Sequence, residues 1–235
     1  MNDYWGRLGL CSLVLLYSVS SAWGASLVSN TMLTAPDGAA YDTFGAAISV
    51  TPDGKTALIG ANDGGYAVSP GYNIPGAAYF FSTYATAAGK KVTPLNPPID
   101  GKFGSPLALA DNGTTAVIGA PSATVDGKYF HGLAYIFINN NGVWTQQARL
   151  VDPDGVIGTG FGCVADIADD GNTVLIGSCS NFTENLTIGS VSVFVRESGN
   201  WRLQKKFRGN DTVADDAFPS AVALSGDGNT ALVGA

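Results

Sequence analysis

Residues 42–61, DTFGAAISVTPDGKTALIGA, decide the fold, because the phrase returns three times. It recurs as GKFGSPLALADNGTTAVIGA at 101–120, GTGFGCVADIADDGNTVLIGS at 158–178 and DAFPSAVALSGDGNTALVGA at 216–235. The Phe that opens each copy is Phe44, Phe103, Phe161 or Phe218, at steps of 59, 58 and 57 residues. A period of this size is the signature of a repeat architecture and takes precedence over any local motif.

Within a unit the order is constant. A first strand (AAISV, PLALA) runs into a tight turn with Gly after Asp or Asn: PDG, DNG, DDG or GDG. Such pairs supply the positive φ that a short hairpin needs. The second strand is continuously apolar (TALIGA, TAVIGA, TVLIGS, TALVGA), as expected for a strand covered on both faces. A variable loop leads to a third strand (GAAYFFS, GLAYIFIN, GSVSVFVR). A second turn (NNG, ESG) then leads to a fourth strand (VWTQQARLV, NWRLQKKFRG).

Four strands joined as a meander describe one blade of a β-propeller, whose faces only neighbouring blades can bury. The fold class is therefore all-β, a propeller of four-stranded blades: blade 1 over 44–102, blade 2 over 103–160, blade 3 over 161–217 and the start of blade 4 over 218–235. Small residues at the start of strand 1 (Gly45, Ala46, Gly104, Ser105, Gly162) suit a crowded axis. Trp144 and Trp201 each precede the next Phe by 17 residues, and Leu150 and Phe207 by 11. Counting back from Phe44 reaches Leu27 and Leu33, so 25–43 holds an orphan fourth strand. Three blades, a half blade and that strand cannot close a ring, which takes about four to eight blades. The sequence thus predicts a truncated arc, with the orphan strand completing the last blade once the ring is whole. In blade 1, Pro94, Pro97 and Pro98 confine the fourth strand to an outer edge.

Residues 1–24 read as a secretory signal peptide. Arg7 precedes an apolar core from Leu8 to Val19, and Ala22 and Gly24 provide the small residues of a cut before Ala25. An uncleaved anchor is the alternative. No other stretch is apolar enough for a membrane span. The expected location is extracellular or cell-surface, or periplasmic in a bacterium. The net charge of −7 and only 12 Lys and Arg exclude nucleic acid as a partner.

Phe-Gly opening one strand and Ile118-Gly119-Ala120-Pro121 closing the next resemble FG-GAP repeats, which build the propeller of integrin α subunits. A short-turn variant common in secreted and surface proteins of microbes is more similar still. The likeness covers nearly all of 26–235. Some integrin units bind calcium through a DxDxDG-type turn between strands 1 and 2. Here that turn carries one or two carboxylates, too few for the roughly six to eight oxygens calcium takes. No metal and no cofactor is therefore expected.

The chemistry-bearing residues are sparse. His131 is the single histidine, no Gly-x-Ser-x-Gly elbow exists, and the acids stand in turns, so no catalytic residue is assigned. The loops between strands 2 and 3 differ most between units, and variable loops on a rigid scaffold are where binding resides. Tyr66, Tyr72, Tyr129, Phe130, His131 and Phe182 are the ligand-face candidates, with ordinary loop packing as the alternative. Cys163 and Cys179 fall at adjoining ends of one predicted hairpin, where a disulfide or two buried thiols would fit. Asn112, Asn181, Asn185 and Asn210 open glycosylation sequons that matter in a eukaryotic host. These features predict a secreted, non-enzymatic propeller that binds a protein or carbohydrate. The alternative is the propeller part of a larger calcium-dependent or hydrolytic enzyme.

Overall fold

A computed structural model of the chain describes residues 14–19, 27–39, 42–62, 76–82, 89–98, 101–179, 188–213 and 217–235. The strands are β1 (Val14–Val19), β2 (Leu27–Leu33), β3 (Phe44–Val50), β4 (Thr56–Ala61), β5 (Ala77–Ser82), β6 (Lys90–Val92), β7 (Leu107–Leu109) and β8 (Thr115–Ala120). They continue as β9 (Leu133–Asn140), β10 (Val143–Leu150), β11 (Phe161–Ile167), β12 (Thr173–Ser178), β13 (Ser190–Glu197), β14 (Asn200–Phe207), β15 (Ala221–Leu224) and β16 (Ala231–Gly234). Blade 1 is the antiparallel sheet β3-β4-β5-β6, blade 2 is β7-β8-β9-β10 and blade 3 is β11-β12-β13-β14. The β15-β16 hairpin follows the same plan, and no sheet closes on itself among the described residues.

β2 occupies the fourth-strand position read from the sequence. Its partner is β1, paired antiparallel from Val14↔Leu33 to Val19↔Leu27.

The apolar second strands of blades 1, 2 and 3 are buried on both faces. Leu58, Ile118 and Ile176 reach zero exposure, and the core divides into clusters lying between successive sheets. At the seam of blades 1 and 2, Leu58, Ala78 and Phe80 of blade 1 meet Ile118, Leu133, Tyr135 and Phe137 of blade 2. At the next seam, Val117, Ala134 and Ile136 meet Val174, Ile176 and Phe194. The opening Phe of blades 1, 2 and 3 packs under the third-strand aromatics of its own blade. Phe44 lies edge-on to Tyr79 at 5.5 Å and Phe103 to Tyr135 at 5.6 Å. The outer-strand tryptophans reach back across the seams. Trp144 stacks on Phe80 at 3.7 Å, and Trp201 Nε1 donates to Gln147 Oε1 at 2.9 Å.

The glycines of the repeated phrase have a seam function. A Cβ on Gly119 would strike the carbonyl oxygen of Gly162, and one on Gly162 (φ 89°) would strike that of Leu133. Gly60 and Gly104 interlock the same way one seam earlier. The Phe-Gly of one blade thus lies backbone against backbone on the Ile-Gly-Ala of the preceding blade, a closeness only glycine allows.

Candidate binding cleft at the seam of blades 2 and 3

Two connections lie side by side at one end of this seam. The loop entering blade 3 (152–160) docks on the loop between the second and third strands of blade 2. Gly158 N donates to Tyr129 O at 3.0 Å, Gly160 N to Phe130 O at 2.8 Å and Phe161 N to His131 O at 2.9 Å. Lys128 Nζ donates to Gly155 O at 2.8 Å. His131 fills the space beneath, 3% exposed, with Nε2 3.1 Å from Asp152 O. A Cβ on Gly155 would collide with its ring, so the bare backbone there makes room for the imidazole.

Beside this junction opens a cleft of about 330 Å³, lined by Asp152, Asp154, Ser178, Ser190, Lys206 and Arg208, with Val156, Thr159 and Ile188 completing the wall. Asp152 is 2% exposed and is held on all sides. Lys206 Nζ donates to both its carboxylate oxygens at 2.7 and 2.9 Å, Ser178 Oγ donates at 3.1 Å, and Asp154 N donates to Oδ1 at 3.1 Å. A buried carboxylate requires this degree of pairing, because removing it from water without partners costs several kcal/mol, roughly. Lys206 also lies 3.5 Å from the exposed carboxylate of Asp154.

Blade 3 departs from the other blades at three positions on this face, two of which, Ser178 and Ser190, line the cleft. Strand register places Tyr79 opposite Ile59, Tyr135 opposite Ile118 and Ser192 opposite Ile176. By the same register Ser178 stands where blades 1 and 2 have Ala61 and Ala120, and Ser190 where they have Ala77 and Leu133. Small hydroxyls thus replace an aromatic ring and apolar groups on one face. Sequence reading passed over Ser178, Ser190, Ser192 and Lys206, because three scattered serines carry no motif. A residue-by-residue alignment of the three units would have revealed them.

The ligand-face candidates divide. Tyr129 is 66% and Phe130 38% exposed at the cleft end, alongside the exposed Val156 and Ile157. His131 is buried under them, so it supports the loop rather than presenting itself. Its place is set by packing against Gly155, which no local pattern announces. Tyr66, Tyr72 and Phe182 lie outside the described residues, as do Asn181 and Asn185. Asn112 and Asn210 are exposed. The Asn112 amide is engaged, donating to Asp170 O at 2.9 Å, while its Oδ1 accepts from Thr114 N at 2.9 Å. Cys163 and Cys179 stand with Cα atoms 6.0 Å apart and sulfurs at bonding distance.

The acids of the strand 1–2 turns are used locally. Asp53 accepts from Lys55 N, Asp170 from Asn172 N and Asp227 from Asn229 N, at 2.9, 2.8 and 3.0 Å. The Lys55 backbone and ammonium beside Asp53 hold its carboxyl down at about 2. Asp111 is shifted upward, first by burial and then by the neighbouring carboxylate of Asp169. No group of three or more acidic, His or Cys side chains fit for a metal ion occurs among the described residues.

The FG-GAP repeat family matches residues 28–81 and 144–194. No curated protein matches the chain by sequence. Among solved structures, the Pseudomonas aeruginosa periplasmic gluconolactonase PpgL is similar at 16% identity and a TM-score of 0.52, over 94% of this chain and 59% of that one. The β-propeller domain of Myceliophteria thermophila Cps50 (Swd1) is similar at 13% identity and a TM-score of 0.52, over 91% of this chain and 57% of that one. At such identities the likeness speaks to the propeller fold alone. The chain spans under three fifths of the length of each.

Proposed function

Taking the chain as an FG-GAP repeat protein with propeller blades, we propose that it is an exported, non-enzymatic binding module. It engages a protein or glycan through the loop end of its blades. The observation that supports this reading is the exposed apolar group of Tyr129, Phe130, Val156 and Ile157, set beside the polar cleft. Such side chains lose water on association, and aromatic rings give large contact area at little conformational cost. They stand on loops tied to each other by three backbone hydrogen bonds, so the patch is held ready rather than assembled on binding. The leader read over 1–24 and the acidic net charge of −7 suit a role outside the cytoplasm.

Arrays of glycans and of immobilised proteins, probed with labelled full-length protein, test the reading. Binding should appear, and Tyr129→Ala with Phe130→Ala should weaken it by roughly thirtyfold or more, the usual cost of losing a central aromatic contact. Binding that ignores the double substitution would refute the loop-end reading. Turnover of ester, lactone or glycoside substrates by the purified protein would refute the non-enzymatic one.

A further inference from the structure

Ser190 is 2% exposed and lines the cleft, and its hydroxyl has no side-chain partner among the described residues. Ser192, two residues on and therefore on the same face, is fully buried with its hydroxyl unpartnered. Buried hydroxyls are nearly always bonded, so the idle one of Ser192 is unusual, and that of Ser190 stands at the cleft wall. Of the two cations at the cleft, Lys206 is committed to Asp152. Arg208 is exposed and pairs with no acid among the described residues. Asp154 presents a largely open carboxylate, 77% exposed, and Val156 and Ile188 supply apolar wall.

From these groups we infer that the cleft is a subsite for a carboxylated sugar residue, a hexuronic acid in chemical class. The inference rests on the loop-end reading above and specifies its ligand. A pyranose ring carries hydroxyls and C–H faces in alternation. Its hydroxyls match the Asp154 carboxylate and the Ser190 hydroxyl, and its C–H faces match Val156 and Ile188. The uncommitted guanidinium of Arg208 suits the carboxylate, which it can bind through two parallel N–H groups. The cleft stands at the small end of ligand pockets, which favours one ring over a long oligomer. An extended acidic peptide is the poorer fit. Peptides of that kind add to a free strand edge, whereas β12 and β13, which carry Ser178 and Ser190, are paired on both sides.

Ligand-observed NMR on the full chain, with methyl glucuronide, methyl glucoside and an acidic tetrapeptide as probes, tests the inference. Glucuronide should bind roughly tenfold or more tightly than glucoside. Arg208→Met should erase that preference, and Ser190→Val should weaken both sugars. Because Arg208 is exposed, Arg208→Met keeps the question open to measurement even if Ser190→Val fails to fold. Equal binding of the two sugars, no binding of either, a preference for the peptide, or indifference to Arg208→Met would each overturn the subsite. The array experiment separates the two claims. Array binding lost in the Tyr129 and Phe130 variant but untouched by Arg208→Met and Ser190→Val sinks the subsite and leaves the loop-end reading standing.

Discussion

At the seam of blades 1 and 2, Tyr135, Leu133 and Ala120 fill the space against Leu58, Ala78 and Phe80. At the seam of blades 2 and 3, the equivalent positions are Ser192, Ser190 and Ser178, and a cleft opens with a buried ion pair at its side. Both seams share the interlocked glycines and the buried second strands. The shared parts carry the stability of the arc. The differing parts are free to vary because each blade needs only its neighbours' central strands to hold it. A propeller can thus hollow one seam for a ligand without changing the plan of the others.

The comparison breaks most severely where the shared part is struck. Gly162→Ala places a side chain at φ 89° and drives its Cβ into the Leu133 carbonyl. Strain and overpacking together should cost about 4 kcal/mol. Urea unfolding measures this, and a change below about 1 kcal/mol would show that the blades can spread apart.

Asp152→Ala strikes the hollowed seam alone. It strands Lys206 and removes the acceptor of Ser178, and should cost about 3 kcal/mol, at the low end for a buried pair because Lys206 can reach water. An unchanged denaturation midpoint would mean the pair adds nothing. Next comes the link between Cys163 and Cys179, which are separated by 16 residues. A disulfide closing a loop of that size should add about 3 kcal/mol, lost on reduction. Labelling of unfolded, unreduced protein that finds two free thiols would exclude the bond.

Exchanging the seams sharpens the contrast. Ser192→Tyr should fill the cleft and abolish sugar binding, at about 2 kcal/mol for overpacking. Tyr135→Ser should cost a similar amount through a cavity and open space at the first seam without creating affinity, since no counterpart of the Asp152–Lys206 pair stands there among the described residues. Affinity retained in Ser192→Tyr would place the ligand elsewhere.

The smallest effect is on pH. Lys91 and then Tyr79 lower the carboxyl of Asp37, and Asp53 is held at about 2. Depressed carboxyls stabilise the fold above their ordinary value of 3.8, and that contribution is lost as pH falls through the folded value, toward about 2 for Asp53. Asp111 has the opposite sign. Raised by burial and by Asp169, it opposes folding at neutral pH and relaxes once protonated. Asp111→Asn should therefore stabilise slightly at pH 7, and the gain should vanish in acid. A gain that grows as pH falls would contradict this.

The repeat by itself determined blade, strand order, turn chemistry and the apolar character of the second strands. Each of these follows from spacing, from glycines after Asp or Asn, or from apolar runs, which are local properties that one chain states outright. The identical phrase shows where that ends. Thr56–Ala61 is almost wholly buried, whereas Leu232 in the matching strand Ala231–Gly234 is 74% exposed, because that strand has a single strand partner among the described residues. Burial belongs to the neighbours and not to the letters. The candidate cleft is of the same kind. Tyr129 and Phe130 were legible as loop aromatics. The meeting of Asp152 with Ser178, Ser190 and Lys206 was not, because these residues lie up to 54 residues apart and come together only in the fold. His131 looked available in the sequence and is enclosed in the fold, since a glycine 24 residues on leaves the space that its ring fills.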